Sequence, residues 1–334
     1  MDSLNALVAF LNYVFIPGLA YGSQLALGAL GVTLIFSVLR FSNFAHGDTM
    51  AFGTAISILV TWWFQSMGIS FGPLPTALLA LPFAIAVTAA FVLATDRVVY
   101  RFYRKQKAAP IILVIVSAGV MFVMNGVVRL IIGVQERNFA DGARFVLEPA
   151  AFKAWSGLNE ALAIKMTTAV TLVAATICVA LVFWFLQKTR TGKSMRAFSD
   201  NEDLALLSGI NPDRVVQVTW IIAAALAVIA GTLYGLDKSF RPFTYYQLLL
   251  PIFAAAIVGG LGSPIGAIAG GFVIAYSEVF VTYAWKKVLG YLMPDSLAPD
   301  GLVQLLSTDY KIAVSFSILI IVLLFMPTGL FKGK

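Results

Sequence analysis

Charge is scarce in this chain: only 12% of its 334 residues are charged, against 60% hydrophobic. Soluble domains carry about twice that share of charge. One aqueous core cannot hide so much apolar surface in a chain of this length, so lipid must cover the rest. Histidine is nearly absent, and the single His46 excludes a His-rich metal site. The lone cysteine, Cys178, has no disulfide partner and reads as an inert packing residue. Acids are almost missing from the apolar runs, with Glu278 the main exception and Asp48 at an edge. An ion-coupled carrier working alone would need such carboxylates. Glu278 fits that role on one reading; on the other, preferred here, it is paired within the bundle or close to the interface. An integral-membrane enzyme would need a nucleophile–base pair or a ligand cluster, and neither is visible. No metal or cofactor is expected. The N-terminus lacks a basic leader region, Asp2 standing in its place, so no cleaved signal peptide is expected.

What the chain does have is long apolar runs. A crossing takes about 20 mostly apolar residues. Spans are predicted near 5–20, 22–39, 49–69, 74–94, 110–133, 166–186, 215–236, 247–261, 264–284 and 312–327. The first and eighth are short, and both lie beside Gly or Pro. The expected fold is an all-α integral membrane protein, a polytopic bundle of about ten transmembrane or re-entrant helices. Residues 1–334 form one membrane domain with no linker.

The net charge of +7 does not call for nucleic acid, because the bases sit in short loops between apolar runs. Arg97, Arg101, Arg104, Lys105 and Lys107 share one loop with only Asp96 opposing them. By the positive-inside rule that loop is cytoplasmic. Counting spans from it places 188–214 in the cytoplasm, with Lys188, Arg190, Lys193 and Arg196 at its start. Both termini come out cytoplasmic, the tail ending on Lys332 and Lys334. Segments 134–165 and 285–311 face the other side, their bases offset by acids such as Glu136, Asp141, Glu148, Asp295, Asp300 and Asp309.

Three features stand out. In Arg40–Asp48, the polar Asn43, His46 and Asp48 sit between two apolar spans with almost no connecting length. Polar groups at membrane depth usually face a cavity or the protein interior. Equally, Asn43 or Asp48 could cap the next helix. The second feature is Ile257–Gly271, where Gly259, Gly260 and Pro264 mark a break. There Gly262, Gly266 and Gly270 recur every fourth residue, so they would let a neighbouring backbone approach closely. A Gly/Pro-interrupted span also marks permeation pathways. One such break falls in each half of the chain, a hint of an internal two-fold repeat.

The third feature is the loop 188–214. Thr191-Gly192-Lys193-Ser194 imitates the end of a phosphate loop, but Gln187 occupies the position of the required first glycine and no strand precedes it. Nucleotide binding is therefore rejected. The loop does encode a short surface helix over Asp200–Ser208. Asp200 or Asn201 caps it, Glu202 and Asp203 complement its dipole, and Gly209 stops it. Asn211 and Pro212 start the next helix. Leu204 and Leu207 share one side. This helix either folds back on its own bundle or docks a cytoplasmic partner.

Together these stretches resemble a known family. Ser42-Asn43-Phe44-Ala45-His46-Gly47-Asp48 is similar to the Asn-Phe-Ala-His-Gly signature of branched-chain amino acid ABC transporter permeases of the LivH type. The loop from Arg190 to Arg214, the segment Ala255–Ala267 and the ending Met326-Pro327-Thr328-Gly329-Leu330-Phe331 resemble that family's coupling loop, Gly-rich segment and tail. The likeness runs in order along nearly the whole chain. It implies a multi-pass subunit of the bacterial inner membrane. Its partners would be a LivM-type permease, two cytoplasmic ABC ATPases that hydrolyse the ATP, and a periplasmic substrate-binding protein. Asn43, His46, Gly259, Gly260 and Gly262 become the candidate substrate pathway. Asp200, Glu202, Leu204, Leu207 and Gly209 become the candidate coupling residues. Segments 134–165 and 285–311 are longer than the resemblance leads one to expect, which leaves open a substrate other than leucine, isoleucine or valine, such as urea or a short amide.

Overall fold

The computed structural model describes residues 2–141, 144–293, 301 and 303–331. Asp295, Asp300, Lys332 and Lys334 lie outside the described residues. The chain is a helical bundle: α1 (Asp2–Leu39), α2 (His46–Ser66), α3 (Ala77–Lys105), α4 (Pro110–Ile132), α5 (Pro149–Ser156), α6 (Met166–Lys188), α7 (Arg190–Asp200), α8 (Glu202–Leu207), α9 (Pro212–Lys238), α10 (Pro242–Gly259), α11 (Pro264–Thr282), α12 (Lys286–Leu292) and α13 (Lys311–Phe325). The sole sheet among the described residues pairs β1 (Phe145–Leu147) antiparallel with β2 (Ile164–Lys165).

Eight of these helices, among the described residues, are long and apolar enough to cross a membrane. They are α1, α3, α4, α6, α9, α10, α11 and α13 with the 3-10 turn that precedes it. The 21-residue α2 joins them as a ninth long helix; its polar first turn lowers its hydropathy, and its neighbours enclose that turn.

The sequence reading separates spans 5–20 and 22–39, whereas the structure makes them one helix of 38 residues. Pro17 does not break it. The wider π-type turn at Leu11–Phe15 lies just before the proline. Such a turn accommodates the missing N–H and the ring. At 1.5 Å per residue α1 is about 57 Å long, roughly twice a hydrocarbon core, so one end projects beyond it.

That single helix removes one crossing and so separates the two chain ends, which the sequence reading placed on the same side. Asn5 and Asn12 near the start of α1 accept backbone N–H groups of Asn159, Glu160 and Ala163. The start of α1 therefore stands with segments 134–165 and 285–311. The tail instead pairs with the end of α10, Leu330 and Phe331 donating to the carbonyls of Val258 and Gly259. The two ends of the described chain lie at opposite faces of the bundle. Below, the face of α1's start is the cap end and the other, with Arg97–Lys107 and 188–214, the basic end.

Small residues decide why α1 is central. Gly18, Gly22 and Gly28 lie where an added Cβ would meet Tyr276, Phe272 and Ile252 within 2.8 Å, and Gly271 meets the Ala26 backbone at 2.7 Å. Without side chains there, α10 and α11 pack directly on α1.

Candidate functional site

The site is built where α1 stops. Arg40 takes a left-handed conformation (φ 57°), its N–H bonds the Phe36 carbonyl, and its guanidinium donates to the Ser199 carbonyl of α7. The chain then turns back into the bundle. Phe41 is buried against Tyr100, which stacks on Trp220 at 5.3 Å. Below that stack Asp96 accepts from the Trp220 indole at 2.8 Å and pairs with Arg104. One base of the predicted loop is thus consumed at the bundle edge.

Asn43 is buried, and its carbonyl oxygen accepts from the Ala45 N–H at 3.1 Å and the Tyr100 hydroxyl at 3.2 Å. Phe44 N–H donates to Ser117 of α4 at 3.0 Å. These bonds tie the bend to α3 and α4. No side chain caps α2, whose N-cap residue is Ala45. His46 is buried beside Gly31, whose added Cβ would stand 2.8 Å from the ring, and His46 Nε2 has no protein hydrogen-bond partner. Gly47 sits against the Tyr245 carbonyl and Leu249 of α10.

Asp48 turns away from the helix start and accepts from Asn125 of α4 at 2.8 Å. Its second oxygen is buried without a hydrogen-bond partner. Asn125 escapes sequence reasoning, because a lone amide in an apolar run gives no sign of which carboxylate it faces. Glu278 is buried at the α11–α13 contact and accepts from Ser315. It borders a cleft of about 340 Å³ with Tyr21, Tyr234 and Lys311.

The second break joins α10 to α11. Gly259 and Gly266 face each other, an added Cβ on either meeting the other's carbonyl at 2.0–2.2 Å. Gly270 stands as close to the Ala255 carbonyl. Gly262 lies before the helix, at φ 87°, so the helical face is formed by Gly266 and Gly270 without it. Ser263 caps α11 through the Gly266 N–H. Gly260 (φ 106°) lies under the Phe331 carbonyl, at 1.9 Å from an added Cβ. Break and tail therefore interlock, although 71 residues separate Gly260 from Phe331. Gly262 also borders a cleft of about 560 Å³ shared with Lys193, Arg196 and Asp200.

At the basic end Thr191–Ser194 lie in the first turns of α7, capped by Thr189. Gly192 packs against the Phe185 carbonyl, 2.1 Å from an added Cβ. Asp200 closes α7, so Asn201 alone caps α8, through the Leu204 N–H at 3.0 Å. Within α8 only Ala205 is buried, whereas Leu204 and Leu207 are 61% and 85% exposed. Glu202 and Asp203 occupy its first turn, and Gly209 ends it at φ 79°.

At the cap end a cleft of about 550 Å³ lies between Asn138–Asp141, Lys165–Thr167 and Gly235–Ser239. Two of its residues, Ala140 (φ 58°) and Ser239 (φ 82°), hold left-handed conformations unusual outside glycine. Ser239 donates to Glu136 at 2.6 Å, and with Arg241 it holds the Glu136 carboxyl below its ordinary pKa.

A bundle with eight helices long and apolar enough to cross a membrane among the described residues, with buried polar bends and Gly-lined breaks, defines a multi-pass membrane protein. Sequence comparison takes this further. The family model described as "Branched-chain amino acid transport system / permease component" matches residues 14–323, and the chain belongs to that family. It is 32% identical over 328 residues to the high-affinity branched-chain amino acid transport system permease protein LivH of Escherichia coli K12, covering 96% of this chain and 95% of that one. It is 29% identical over 317 residues to BraD of Pseudomonas aeruginosa, covering 94% of each. It is 27% identical over 276 residues to a probable LivH of Methanocaldococcus jannaschii, covering 81% of each. Among solved structures, PsaBC from Streptococcus pneumoniae in complex with Fab aligns over 97% of this chain at a TM-score of 0.45 and 13% identity.

Proposed function

We propose that this chain is a transmembrane subunit of an ATP-driven importer of branched-chain or related amino acids, with its basic end in the cytoplasm and its cap end outside. Family membership supports the transport role, and the names of the relatives supply the substrate class. The basic residues at 97–107 and 188–196 favour that orientation. The tail is then cytoplasmic and the start of α1 external.

The exposed apolar side of α8 is the observation that carries the partner assignment. Leu204 and Leu207 stand free on a capped six-residue helix at the cytoplasmic end. An ABC ATPase groove would take them, with Glu202 and Asp200 at the rim and Gly209 as the hinge. Closure of two ATPases on ATP would move α8. That motion would pass through α7 to α6 by the Gly192 contact, and to the bend by the Arg40–Ser199 bond. Asn43 and His46 would hold the bend in shape, and Gly259, Gly260 and Gly262 would hold the second break. A LivM-type permease and a periplasmic binding protein would complete the assembly.

Reconstitution with those partners tests this reading. Saturable, ATP-dependent uptake of labelled leucine is expected. ATP-dependent uptake of urea or a short amide that ignores leucine would keep the architecture and discard the substrate. Uptake by this chain alone without ATP would overturn it.

A further inference from the structure

A carboxylate inside a crossing helix is costly, and it persists where a charge or a ligand meets it. Glu278 is such a group, one turn before the end of α11 and only 1% exposed. Ser315 and Tyr21 turn hydroxyls toward it, but neither carries charge. Lys311, at the start of α13, attracts it across the cleft of about 340 Å³ that both residues border, without a salt bridge between them. The Lys311 ammonium makes no hydrogen bond among the described residues. The larger cleft at the cap end behaves otherwise, because its charges are already paired: Asp237 with Lys238, and Glu136 with Arg241.

The walls between the two charges add an apolar surface. Tyr21 and Tyr234 line the cleft with ring centroids 6.4 Å apart, and Leu248 and Pro251 of α10 line it too. Charge selects the occupant. A lone cation would meet Lys311, and a lone anion would meet Glu278 and the exposed Asp309. A zwitterion satisfies both sides, with its ammonium on the carboxylate and its carboxylate on the ammonium. Sites for small ligands begin at about 300 Å³, so the volume suits one small molecule. The position suits entry. The cleft lies at the cap end, where α10 and α13 begin and α11 ends. From there α10 runs to Gly259 and the break, and on the way its Leu249 packs on Gly47, next to His46.

We infer that the cleft between Glu278 and Lys311 binds the transported amino acid within this chain, taking its ammonium on Glu278, its carboxylate on Lys311 and an apolar side chain against Tyr234, Leu248 and Pro251. That this ligand is cargo rests on the importer reading; that it is a zwitterion rests on the two unpaired charges. Binding displaces water and gives each charge a partner, while no net charge enters the membrane.

Thiol protection tests this on the full chain with no partner present. Thr308, exposed at the rim of the cleft, is changed to cysteine in a Cys178→Ala background, and its labelling by a water-soluble maleimide is timed. Millimolar leucine slows labelling at least threefold. Isocaproate, which lacks the ammonium, and isoamylamine, which lacks the carboxylate, do not. Glu278→Gln, which keeps the size and the hydrogen-bonding groups, abolishes the protection, and so does Lys311→Gln. Each variant is first checked for a monodisperse profile; where Glu278→Gln fails that check, the half-buried Lys311 decides alone. In the reconstituted importer, Glu278→Gln lowers leucine uptake at least tenfold while ATP hydrolysis evoked by the loaded binding protein persists, a split that a merely structural lesion does not give. No protection by leucine, protection by the amine alone, or protection that survives the variants overturns the inference. If the unaltered chain with its partners shows no ATP-dependent uptake, the importer reading falls, and the protection result still decides whether the cleft takes a zwitterion.

Discussion

The two extramembrane ends of this protein use their side chains in opposite ways. At the cap end, polar groups are turned inward to bind the chain's own backbone. Asn5 accepts two N–H groups at 3.1 and 3.2 Å, and Asn12 accepts one at 3.0 Å. Glu160, buried there, pairs with Lys287 at 2.8 Å and accepts from Tyr291 at 2.9 Å. Ala6, Ala9 and Val288 form a small core beneath, with Phe10 stacked on Trp285. Three segments remote in sequence become one clasp. At the basic end the pattern reverses, and leucines of a short, singly capped helix are left bare. The cap end spends its interactions on itself, so its loss should appear as lost stability. The basic end keeps apolar surface unmatched, so its loss should appear as lost coupling.

The largest effect separates these two cases. Leu204→Asp with Leu207→Asp replaces exposed apolar surface and touches no buried contact. Exposed substitutions of this kind shift stability by about 0.5 kcal/mol or less. Thermal unfolding of the purified chain should therefore be unchanged, while ATP-dependent uptake falls by about a hundredfold, the scale of a lost hot-spot pair worth some 3 kcal/mol. Normal uptake by this variant would mean that α8 does not engage the ATPases.

Lys287→Met attacks the other end. It leaves the buried Glu160 carboxylate with Tyr291 alone. The expected cost is about 1–2 kcal/mol, at the low side for a broken buried pair because water screens the half-exposed lysine. The melting midpoint should drop, with uptake by the surviving protein nearly intact. The same clasp should loosen in alkali. Burial alone would pull the Lys287 pKa down, but the bonds to Glu160 and Tyr13 outweigh it and the net shift is upward. Tyr291 also shifts upward, chiefly because its hydroxyl donates to Glu160. Both folded values exceed the unfolded ones, so the contribution is complete below about pH 10 and is lost as pH rises through the raised values. Amide exchange at Asn159, Glu160 and Ala163 should accelerate only above that point. Acceleration between pH 5 and 8 would show that these groups do not govern the clasp.

Much of this was legible in the sequence, and the parts that were not share a cause. All ten expected spans are present as helices or as part of α1, because run length alone identifies them. The first two spans were divided at residue 21, beside Gly22, whereas the chain runs through that point as one helix, so the sequence reading placed on one side two chain ends that lie at opposite faces of the bundle. The caps at Asn201 and Asn211 were readable because the cap acts within three residues. The Asp48–Asn125 pair, the Glu160–Lys287 pair and the docking of Phe331 on Gly259 were not, because each joins positions more than seventy residues apart. The glycines divide in the same way. Gly266 and Gly270 announced close packing by their spacing, but only geometry separates them from Gly119 and Gly126, where no described residue lies within 4 Å of an added Cβ.

The smallest expected effect probes the junction between the two behaviours, where a local stabilising bond supports a surface meant for another protein. Asn201 Oδ1 accepts the Leu204 N–H, and its backbone carbonyl accepts from Ala205. Asn201→Ala removes only the side-chain bond. N-cap losses cost about 1 kcal/mol. In a helix of six residues that loss is enough to fray the first turn, because so short a helix has little intrinsic stability. The global melting midpoint should hardly move, since Ala205 is the one buried residue of α8. Uptake should fall about threefold to fivefold, the fraction expected when about 1 kcal/mol is needed to order the helix before it docks. Asn201→Asp, which restores the acceptor, should return uptake to the original level. If Asn201→Ala instead lowered the melting midpoint by several degrees without affecting uptake, α8 would belong with the clasp, as a structural element, and the contrast between the two ends would fail.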